Sequence, residues 1–222
     1  MINTLQYILD KFQVSPDGKL PIKLPLYRFG SFIELLRELG FRVGAEIGVC
    51  KGMFSRYLLK KIPGLKLYGI DPWLVYGEYT EHHRESEQSI MDRCLEVAKS
   101  RVAPYDCELI RATSMEAVGR FEDGSLDFVF IDGNHSFRYV IDDIAEWSKK
   151  VRPGGIVAGH DFWTSADRPD EQLYIDNLTP REKINLVQVE DAVIGWTRAN
   201  QIKPWFITKK DASPSWFWVK TQ

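Results

Sequence analysis

The chain has 222 residues, the size of one domain that can bury a single hydrophobic core. Its hydrophobic content of 44% and charged content of 27% are those of an ordinary globular protein. A formal net charge of −2 gives no overall attraction for nucleic acid, and the longest apolar runs are too short to span a bilayer. We therefore expect neither a nucleic acid nor a membrane as partner.

The N-terminus and the cysteines indicate the compartment. Residues 1–10 lack the basic, apolar and small-residue sections of a secretory signal. Cys50, Cys94 and Cys107 are odd in number and widely spaced, which indicates thiols in a reducing environment rather than a disulfide framework. The cytoplasm is the expected location.

Short apolar runs alternate with longer helical patterns along the chain, which predicts a doubly wound α/β fold. The predicted helices cover residues 4–12, 31–39, 53–61, 85–101, 137–151 and 191–200, with a short helix after Thr113. The predicted strands cover residues 42–48, 65–70, 107–111, 126–131, 156–159, 204–208 and 215–219. This is a seven-stranded sheet, mostly parallel, with a C-terminal antiparallel hairpin.

Local signals add detail to this plan. Ser31 is predicted to cap the second helix, and Thr113 with Glu116 has capping-box spacing. Residues 16–25 read as a Pro-rich connection, and Pro153 begins a Pro-Gly-Gly turn before the fifth strand. Residues 1–41 form an N-terminal helical segment before a domain at 42–222. That segment is expected to cover the active site or to contribute to a homo-oligomer.

A glycine turn follows the first predicted core strand and opens a helix. Gly48 and Gly52, with Glu46 before them, have the spacing E-x-G-x-x-x-G rather than the tighter dinucleotide fingerprint. Glycines there allow close approach of a ligand, and the helix start presents unpaired N–H groups. The turn indicates a ligand without a pyrophosphate; a tight turn without any ligand is the alternative.

Asp71 ends the next strand, about 25 residues after Glu46. A carboxylate at this place can accept hydrogen bonds from both ribose hydroxyls of an adenosine-containing ligand. A solvated aspartate before a proline is the alternative, since such residues are common in turns.

A third group of polar residues follows two adjacent strands. Asp132, His135, His160 and Asp161 lie at carboxyl ends of strands, where open α/β sheets place their ligands. Asp132, His160 and Asp161 form a predicted site for Mg²⁺ or Mn²⁺. Without a metal, His135 or His160 is a candidate general base, because histidine titrates near neutral pH.

Four motifs together resemble the class I S-adenosylmethionine-dependent methyltransferases. They are Gly44-Ala-Glu-Ile-Gly-Val-Cys-Lys-Gly52, Tyr68-Gly-Ile-Asp71, Phe130-Ile-Asp-Gly-Asn-His-Ser136 and Val151-Arg-Pro-Gly-Gly-Ile-Val-Ala-Gly-His-Asp161. The last two look most like small-molecule and sugar O-methyltransferases of the macrocin O-methyltransferase-like kind. The closing hairpin is also typical of this Rossmann-like fold.

The resemblance implies S-adenosyl-L-methionine as cofactor and assigns roles to residues. Its methionine portion is expected near the glycine turn and Asp132, its ribose at Asp71, and its adenine between Ser114 and Met115. The cofactor-binding residues so implied are Glu46, Gly48, Cys50, Gly52, Asp71, Trp73, Ser114, Met115 and Asp132. Several relatives bind a metal with acidic residues where this chain has His160 and Asp161. One oxygen ligand is thus replaced by nitrogen.

The acceptor is expected to be a hydroxyl of a small molecule, sugar or glycoconjugate. This expectation rests on the resemblance and on the cluster of acidic residues and histidines. The rings of Trp73, Tyr76, Tyr79 and Trp163 either flank the acceptor or cover the sheet edge. Asp132, His135 and His160 are the candidate catalytic residues. A cofactor-binding module without catalysis and a metal-dependent oxygenase are the alternatives.

Overall fold

The computed structural model describes residues 3–75, 87–162 and 189–221, and within these ranges it has an eight-stranded sheet with helices on both faces. The strands are β1 Ile22–Leu24, β2 Val43–Ile47, β3 Lys66–Asp71, β4 Cys107–Arg111, β5 Leu126–Ile131, β6 Val151–Gly159, β7 Phe206–Thr208 and β8 Trp216–Val219. The helices are α1 Thr4–Phe12, α2 Ile33–Glu38, α3 Met53–Lys61, α4 Gln88–Val102, α5 Ser114–Val118, α6 Phe137–Lys150 and α7 Val189–Ala199, with a π-helical turn at Arg28–Phe32.

The strand order is β1-β7-β8-β6-β5-β2-β3-β4. Strands β2 to β6 pair in parallel, whereas β8 is antiparallel to both β6 and β7. The chain winds outward through β3 and β4 on one side of β2 and through β5 and β6 on the other. The neighbouring ends of β2 and β5 are therefore the switch point at which such sheets place ligands.

The predicted fold class is confirmed, with one strand more than predicted. The additional strand, β1, lies inside the predicted Pro-rich connection and pairs in parallel with β7, with Ile22 opposite Phe206. Its three residues are too few to show a periodic pattern. Its partner lies at the other end of the sequence, so a local reading of residues 16–25 misses it.

Two local predictions are wrong. Ser31 does not cap α2, because it lies inside the π-helical turn, where its hydroxyl accepts the Tyr27 N–H at 2.9 Å. Pro153 lies within β6 rather than before it: the strand starts at Val151 and its register with β5 shifts at this point. The capping box of Thr113 and Glu116, by contrast, is confirmed.

The sheet separates two large apolar clusters. Helices α1, α2 and α3 cover one face, where Leu36, Leu58 and Phe128 are completely or almost completely buried. Helices α5, α6 and α7 cover the other face around Trp147 and Val157. The N-terminal residues 3–41 pack into the first cluster and add β1 to the same sheet.

None of the helices in the described ranges could cross a membrane. The longest of these, α4, has 15 residues, and a membrane span needs about 20. Tyr76, Tyr79, Trp163 and most of the predicted loop at 162–187 lie outside the described residues, as does the predicted helix start at residue 85.

Candidate active site

The backbone at the carboxyl ends of the central strands brings the predicted groups together. The N–H groups of Gly48, Asp132 and His160 donate to carbonyl oxygens of β3, β2 and β5, at 2.8, 2.7 and 3.0 Å. The residue that follows each of β2, β5 and β6 therefore still hydrogen-bonds to the neighbouring strand. As a result, the glycine turn lies directly beside the acidic and histidine cluster at the switch point.

The two glycines of the turn serve packing as well as conformation. Both have left-handed backbones, with φ of +89° at Gly48 and +67° at Gly52. A Cβ on Gly48 would lie 2.0 Å from the carbonyl oxygen of Asp132, and one on Gly52 would lie 3.2 Å from Cα of Ala98. Gly48 thus lets β2 and β5 end side by side, and Gly52 lets α4 approach the turn.

Asp71 holds the glycine turn in place. Its carboxylate accepts the backbone N–H groups of Val49 at 3.0 Å, Cys50 at 2.8 Å and Trp73 at 2.7 Å. The sequence predicts only a ribose contact for this residue and gives no signal for the backbone contacts. An alanine variant of Asp71 would therefore disturb the turn itself, so ligand variants are the cleaner test of ribose binding.

Trp73 holds the backbone of the glycine turn through its indole ring. Its ring is completely buried and packs in a small cluster with Met91 and Leu95 of α4. Its indole Nε1–H donates to the carbonyl oxygen of Cys50 at 2.8 Å. The indole therefore fixes the backbone of the turn, and its predicted part in cofactor binding would act through Cys50.

We expect Trp73→Phe to lower the free energy of unfolding by about 1–2 kcal/mol, because a buried hydrogen bond and part of a ring are lost. Affinity for S-adenosylhomocysteine should fall several-fold in calorimetric titration, since the Cys50 carbonyl loses its anchor. Trp218→Phe is the control, because Trp218 is a buried ring that stacks on Trp216 away from the turn. Equal losses of affinity in both variants would contradict this assignment.

Glu46 carries a buried carboxyl group on β2, only 2% exposed, which accepts a hydrogen bond from the Ser55 hydroxyl on α3. Burial raises the pKa of Glu46 to about 8, the charge of Asp132 adds to the rise, and the Ser55 hydrogen bond opposes it. A cation placed close to this carboxyl group would stabilise its ionised form. The predicted contact with the ammonium-bearing methionine portion of the cofactor is consistent with this electrostatic setting.

Asp132 lies between Arg28 and two histidines. Its Oδ2 is 3.0 Å from Nη1 of Arg28, while its Oδ1 is 3.3 Å from Nε2 of His135 and 3.6 Å from Nδ1 of His160. Burial opposes ionisation, but the hydrogen bonds with both histidines hold the pKa of Asp132 well below its usual range. The carboxylate is therefore ionised and shared between Arg28 and the histidines.

Arg28 is the main residue of the site that the sequence does not reveal. It lies in the π-helical turn, 104 positions before Asp132, and no motif surrounds it. Its contact with Asp132 brings the N-terminal segment to the acidic and histidine cluster.

Asp161 and His160 form a second pair in the cluster. Nδ1 of His160 is 2.9 Å from Oδ1 of Asp161, which also accepts the Ser213 hydroxyl. Burial opposes the charged form of His160, but Asp132 and Asp161 outweigh it and raise the pKa of His160 to about 8. The pKa of Asp161 is lowered, because the His160 hydrogen bond outweighs burial. At neutral pH this pair is an imidazolium and a carboxylate.

The geometry for a metal differs from the predicted set by one histidine. Within the described part of the chain, ligand atoms of Asp132, His135 and Asp161 lie within 4.8 Å of one another. The sequence prediction has His160 in the place of His135. His135 Nε2 faces both carboxylates, at 3.3 Å from Asp132 and 3.5 Å from Asp161, whereas His160 is more deeply buried and paired with Asp161.

Ser114 and Met115 lie at the start of α5, after β4. The Ser114 hydroxyl donates to Asp143 and accepts the Trp147 indole N–H at 2.7 Å, so it orders α6 against α5. Met115 is 41% exposed, so its side chain is accessible to a flat ligand. Only Met115 of this pair therefore offers its side chain outward.

Asp143 is a buried carboxyl group that the sequence prediction omits. Burial raises the pKa of Asp143 to about 7, against the opposing hydrogen bond from Ser114. A signal was present, because position 143 lies on the apolar stripe of α6 between Val140 and Trp147. An acidic residue on a buried stripe indicates a specific polar partner.

Backbone strain concentrates at this site. Among the described residues, five non-glycine residues have positive φ, and three of them are Cys50 (+49°), Trp73 (+41°) and Asp161 (+55°). Such conformations persist where surrounding contacts impose them, and they cluster at functional sites. All three were singled out from the sequence for other reasons.

A family model matches the central part of the chain. Residues 45–162, more than half of the chain, match the family model described as a methyltransferase domain. No curated protein matches the chain. The matched segment runs from the glycine turn to the end of the acidic and histidine cluster.

Several solved structures have the same fold. The O-methyltransferase from Bacillus cereus, in complex with S-adenosylhomocysteine, has a TM-score of 0.58 and 16% identity over 99% of this chain and 92% of that chain. The O-methyltransferase TomG from Streptomyces achromogenes, in complex with S-adenosylmethionine, has a TM-score of 0.57 and 17% identity over 99% and 90%. The N-methyltransferase NodS from Bradyrhizobium japonicum has a TM-score of 0.52 and 14% identity over 86% of this chain and 94% of that chain. The chain belongs to the methyltransferase domain family and is an S-adenosylmethionine-dependent methyltransferase.

Proposed function

We propose that the protein transfers a methyl group from S-adenosylmethionine to a hydroxyl group of a small molecule, a sugar or a glycoconjugate. One observation carries the choice of oxygen: His135 lies between the carboxylates of Asp132 and Asp161, beside the glycine turn. A histidine oriented in this way can remove a hydroxyl proton. An amine acceptor has less need of such a base.

The residues around the turn fit the chemistry of the cofactor. Glu46 and Asp132 are carboxyl groups suited to an ammonium group, and Met115 is exposed where the adenine ring is expected. Asp71 lies at the end of β3, at the other side of the turn. The proposed contacts are Glu46, Gly48, Cys50, Gly52 and Asp132 toward methionine, Asp71 toward ribose, and Met115 toward adenine. Trp73 would act through the Cys50 carbonyl, and Ser114 through the packing of α5 on α6.

When bound, S-adenosylmethionine supplies a sulfonium methyl group that is already electrophilic. The protein then has to align the acceptor oxygen and accept its proton. We assign the proton to His135, because the carboxylates of Asp132 and Asp161, which both face its Nε2, stabilise the imidazolium that forms. His160 keeps Asp161 in position through its 2.9 Å contact.

A divalent cation held by Asp132, His135 and Asp161 is the second candidate, because their ligand atoms converge within 4.8 Å. Mg²⁺ or Mn²⁺ there would bind the acceptor oxygen and lower the pKa of its hydroxyl. We rank this second because Arg28 and protonated His160 already balance the charges of both carboxylates. A dication would have to bind beside the positive charges of Arg28 and His160.

The first test is calorimetric titration of the cofactor-free protein with S-adenosylhomocysteine, with EDTA and with Mg²⁺. We expect micromolar binding under both conditions. Comparison of 5′-methylthioadenosine with its 2′,3′-dideoxy form tests the ribose contact without altering Asp71. Absence of binding to every one of these ligands would overturn the proposed cofactor site.

The second test measures S-adenosylhomocysteine released from S-adenosylmethionine with a panel of phenols, catechols, sugars and glycosides. We expect His135→Gln to lower turnover about 100-fold with unchanged affinity for S-adenosylhomocysteine. Loss of turnover in EDTA with recovery in Mg²⁺ would favour the metal-assisted candidate. Binding without turnover on any acceptor would indicate a module without catalysis. Consumption of oxygen with iron would indicate the oxygenase alternative.

A further inference from the structure

Arg28 is held in the site by four independent contacts. Its backbone N–H donates to both carboxylate oxygens of Asp211, each at 3.0 Å. Its guanidinium lies 4.6 Å from the ring centre of Phe29 and 5.7 Å from that of Phe54. A π-helical turn, which often marks a functional position, supplies the backbone. The side chain is thus preorganised rather than extended into solvent.

The guanidinium uses little of its hydrogen-bonding capacity within the protein. Among the described residues it has one hydrogen-bond partner, Asp132 Oδ2, which Nη1 contacts at 3.0 Å. A guanidinium has five N–H donors in a flat fork that matches a carboxylate bidentately. The side chain is 17% exposed, so the protein does not enclose it completely.

Charges of opposite sign alternate beside the glycine turn. Arg28 lies next to Asp132, and its charge also acts on the buried carboxyl of Glu46. A free amino acid group carries an ammonium and a carboxylate on the same carbon atom. The ammonium is complementary to the ionised carboxylate of Asp132, and the carboxylate is complementary to the guanidinium beside it.

On the basis of the proposed function, we propose that Arg28 binds the carboxylate of the methionine portion of S-adenosylmethionine while Asp132 faces the ammonium group. Arg28 is then a specificity-determining residue that selects an intact amino acid end. The N-terminal segment, which lies outside the matched family region at 45–162, supplies this contact.

The test compares three ligands by calorimetric titration. S-adenosylhomocysteine has both charged groups, its decarboxylated analogue keeps only the ammonium, and 5′-methylthioadenosine has neither. We expect Arg28→Ala to weaken S-adenosylhomocysteine binding about 10- to 100-fold, as for loss of a charged hydrogen-bonded pair. For each of the other two ligands, the affinity of the variant should lie within about twofold of that of the native protein.

Arg28→Lys should recover part of the loss, because lysine restores the charge without the fork. Arg152→Ala is the matched control: Arg152 also pairs with an aspartate, Asp127 at 2.7 Å, and stacks on Phe41, but at the amino end of the sheet. Its affinity for S-adenosylhomocysteine should equal that of the native protein. Thermal unfolding of each variant establishes that it is folded.

Three results would overturn the proposal. Equal weakening of S-adenosylhomocysteine and the decarboxylated analogue would show that Arg28 acts through Asp132 on the ammonium group. Unchanged affinities in Arg28→Ala would show that the guanidinium contacts no part of the cofactor. Failure of 5′-methylthioadenosine to bind the native protein would remove the adenosyl site itself, and the Arg28 proposal with it.

Discussion

Gly48→Ala is expected to lower the free energy of unfolding by more than about 4 kcal/mol and to abolish binding of S-adenosylhomocysteine. The added Cβ would lie 2.0 Å from the carbonyl oxygen of Asp132 and 2.7 Å from Cα of Gly133. The opposing atoms are backbone, and the Asp132 N–H is tied to the Ile47 carbonyl at 2.7 Å. Neither strand end can move without breaking the row of hydrogen bonds that forms the site.

Gly40→Ala is the matched control for this variant. Gly40 also has a left-handed backbone, with φ of +75°, but a Cβ there meets no atom within 4 Å. It should cost only the conformational penalty of about 1–2 kcal/mol. Urea unfolding and calorimetric titration measure both effects. Similar losses of stability in the two variants would mean that conformation, and not the close approach of β2 and β5, makes glycine necessary at position 48.

Glu46→Gln is expected to stabilise the protein increasingly as the pH rises. The folded-state pKa of about 8 lies above the ordinary value of 4.5, so folding takes up a proton between these two values. The native protein therefore loses stability as pH increases through this interval, while the variant does not. The difference should be small at pH 5 and reach about 4 kcal/mol at pH 9, where the buried carboxyl is ionised.

The measurement is urea unfolding of both proteins at pH 5, 7 and 9. Glu96→Gln is the control, because the Glu96 side chain is 69% exposed and its replacement should leave the pH profile unchanged. Parallel profiles for the native protein and Glu46→Gln would contradict the raised pKa. A variant that is more stable but binds S-adenosylhomocysteine more weakly would show that the carboxyl is retained for its ligand.

The central part of the fold was predictable because its signals are local. Strand β5, Leu126–Ile131, has a nearly continuous apolar run, interrupted only by Asp127, which is typical of a strand covered on both faces. The capping box at Thr113 and Glu116 indicates the start of helix α5. Each of these elements is encoded within a few residues, so no knowledge of distant contacts is needed to place it.

The parts that escaped prediction depend on contacts between distant residues. Strand β1 exists because β7 offers it an edge, and the Pro153 region continues β6 because its neighbours in the sheet hold it. Ser31 has the composition of a helix cap, but its hydroxyl finds the Tyr27 N–H instead. Local propensity is a weak guide wherever tertiary contacts determine the backbone.

The candidate site divides in the same way. Sequence spacing placed Asp132, His135, His160 and Asp161 together, because strand ends of a parallel sheet share one edge. It could not place Arg28, whose segment reaches this edge from outside the βα repeats. For Asp71 it predicted a ligand contact and missed the three backbone groups that this carboxylate also holds.

The pairing of β1 with β7 has a consequence for biosynthesis. During translation this segment is made before its strand partner and before Asp211, which follows Arg28 by 183 residues. Contacts so distant along the chain form slowly, because a long loop must close before they contribute. A nascent chain can therefore complete its central strands on the ribosome while Arg28 still lacks its support. Arg28 therefore gains its full support only after β7 and Asp211 have been synthesised.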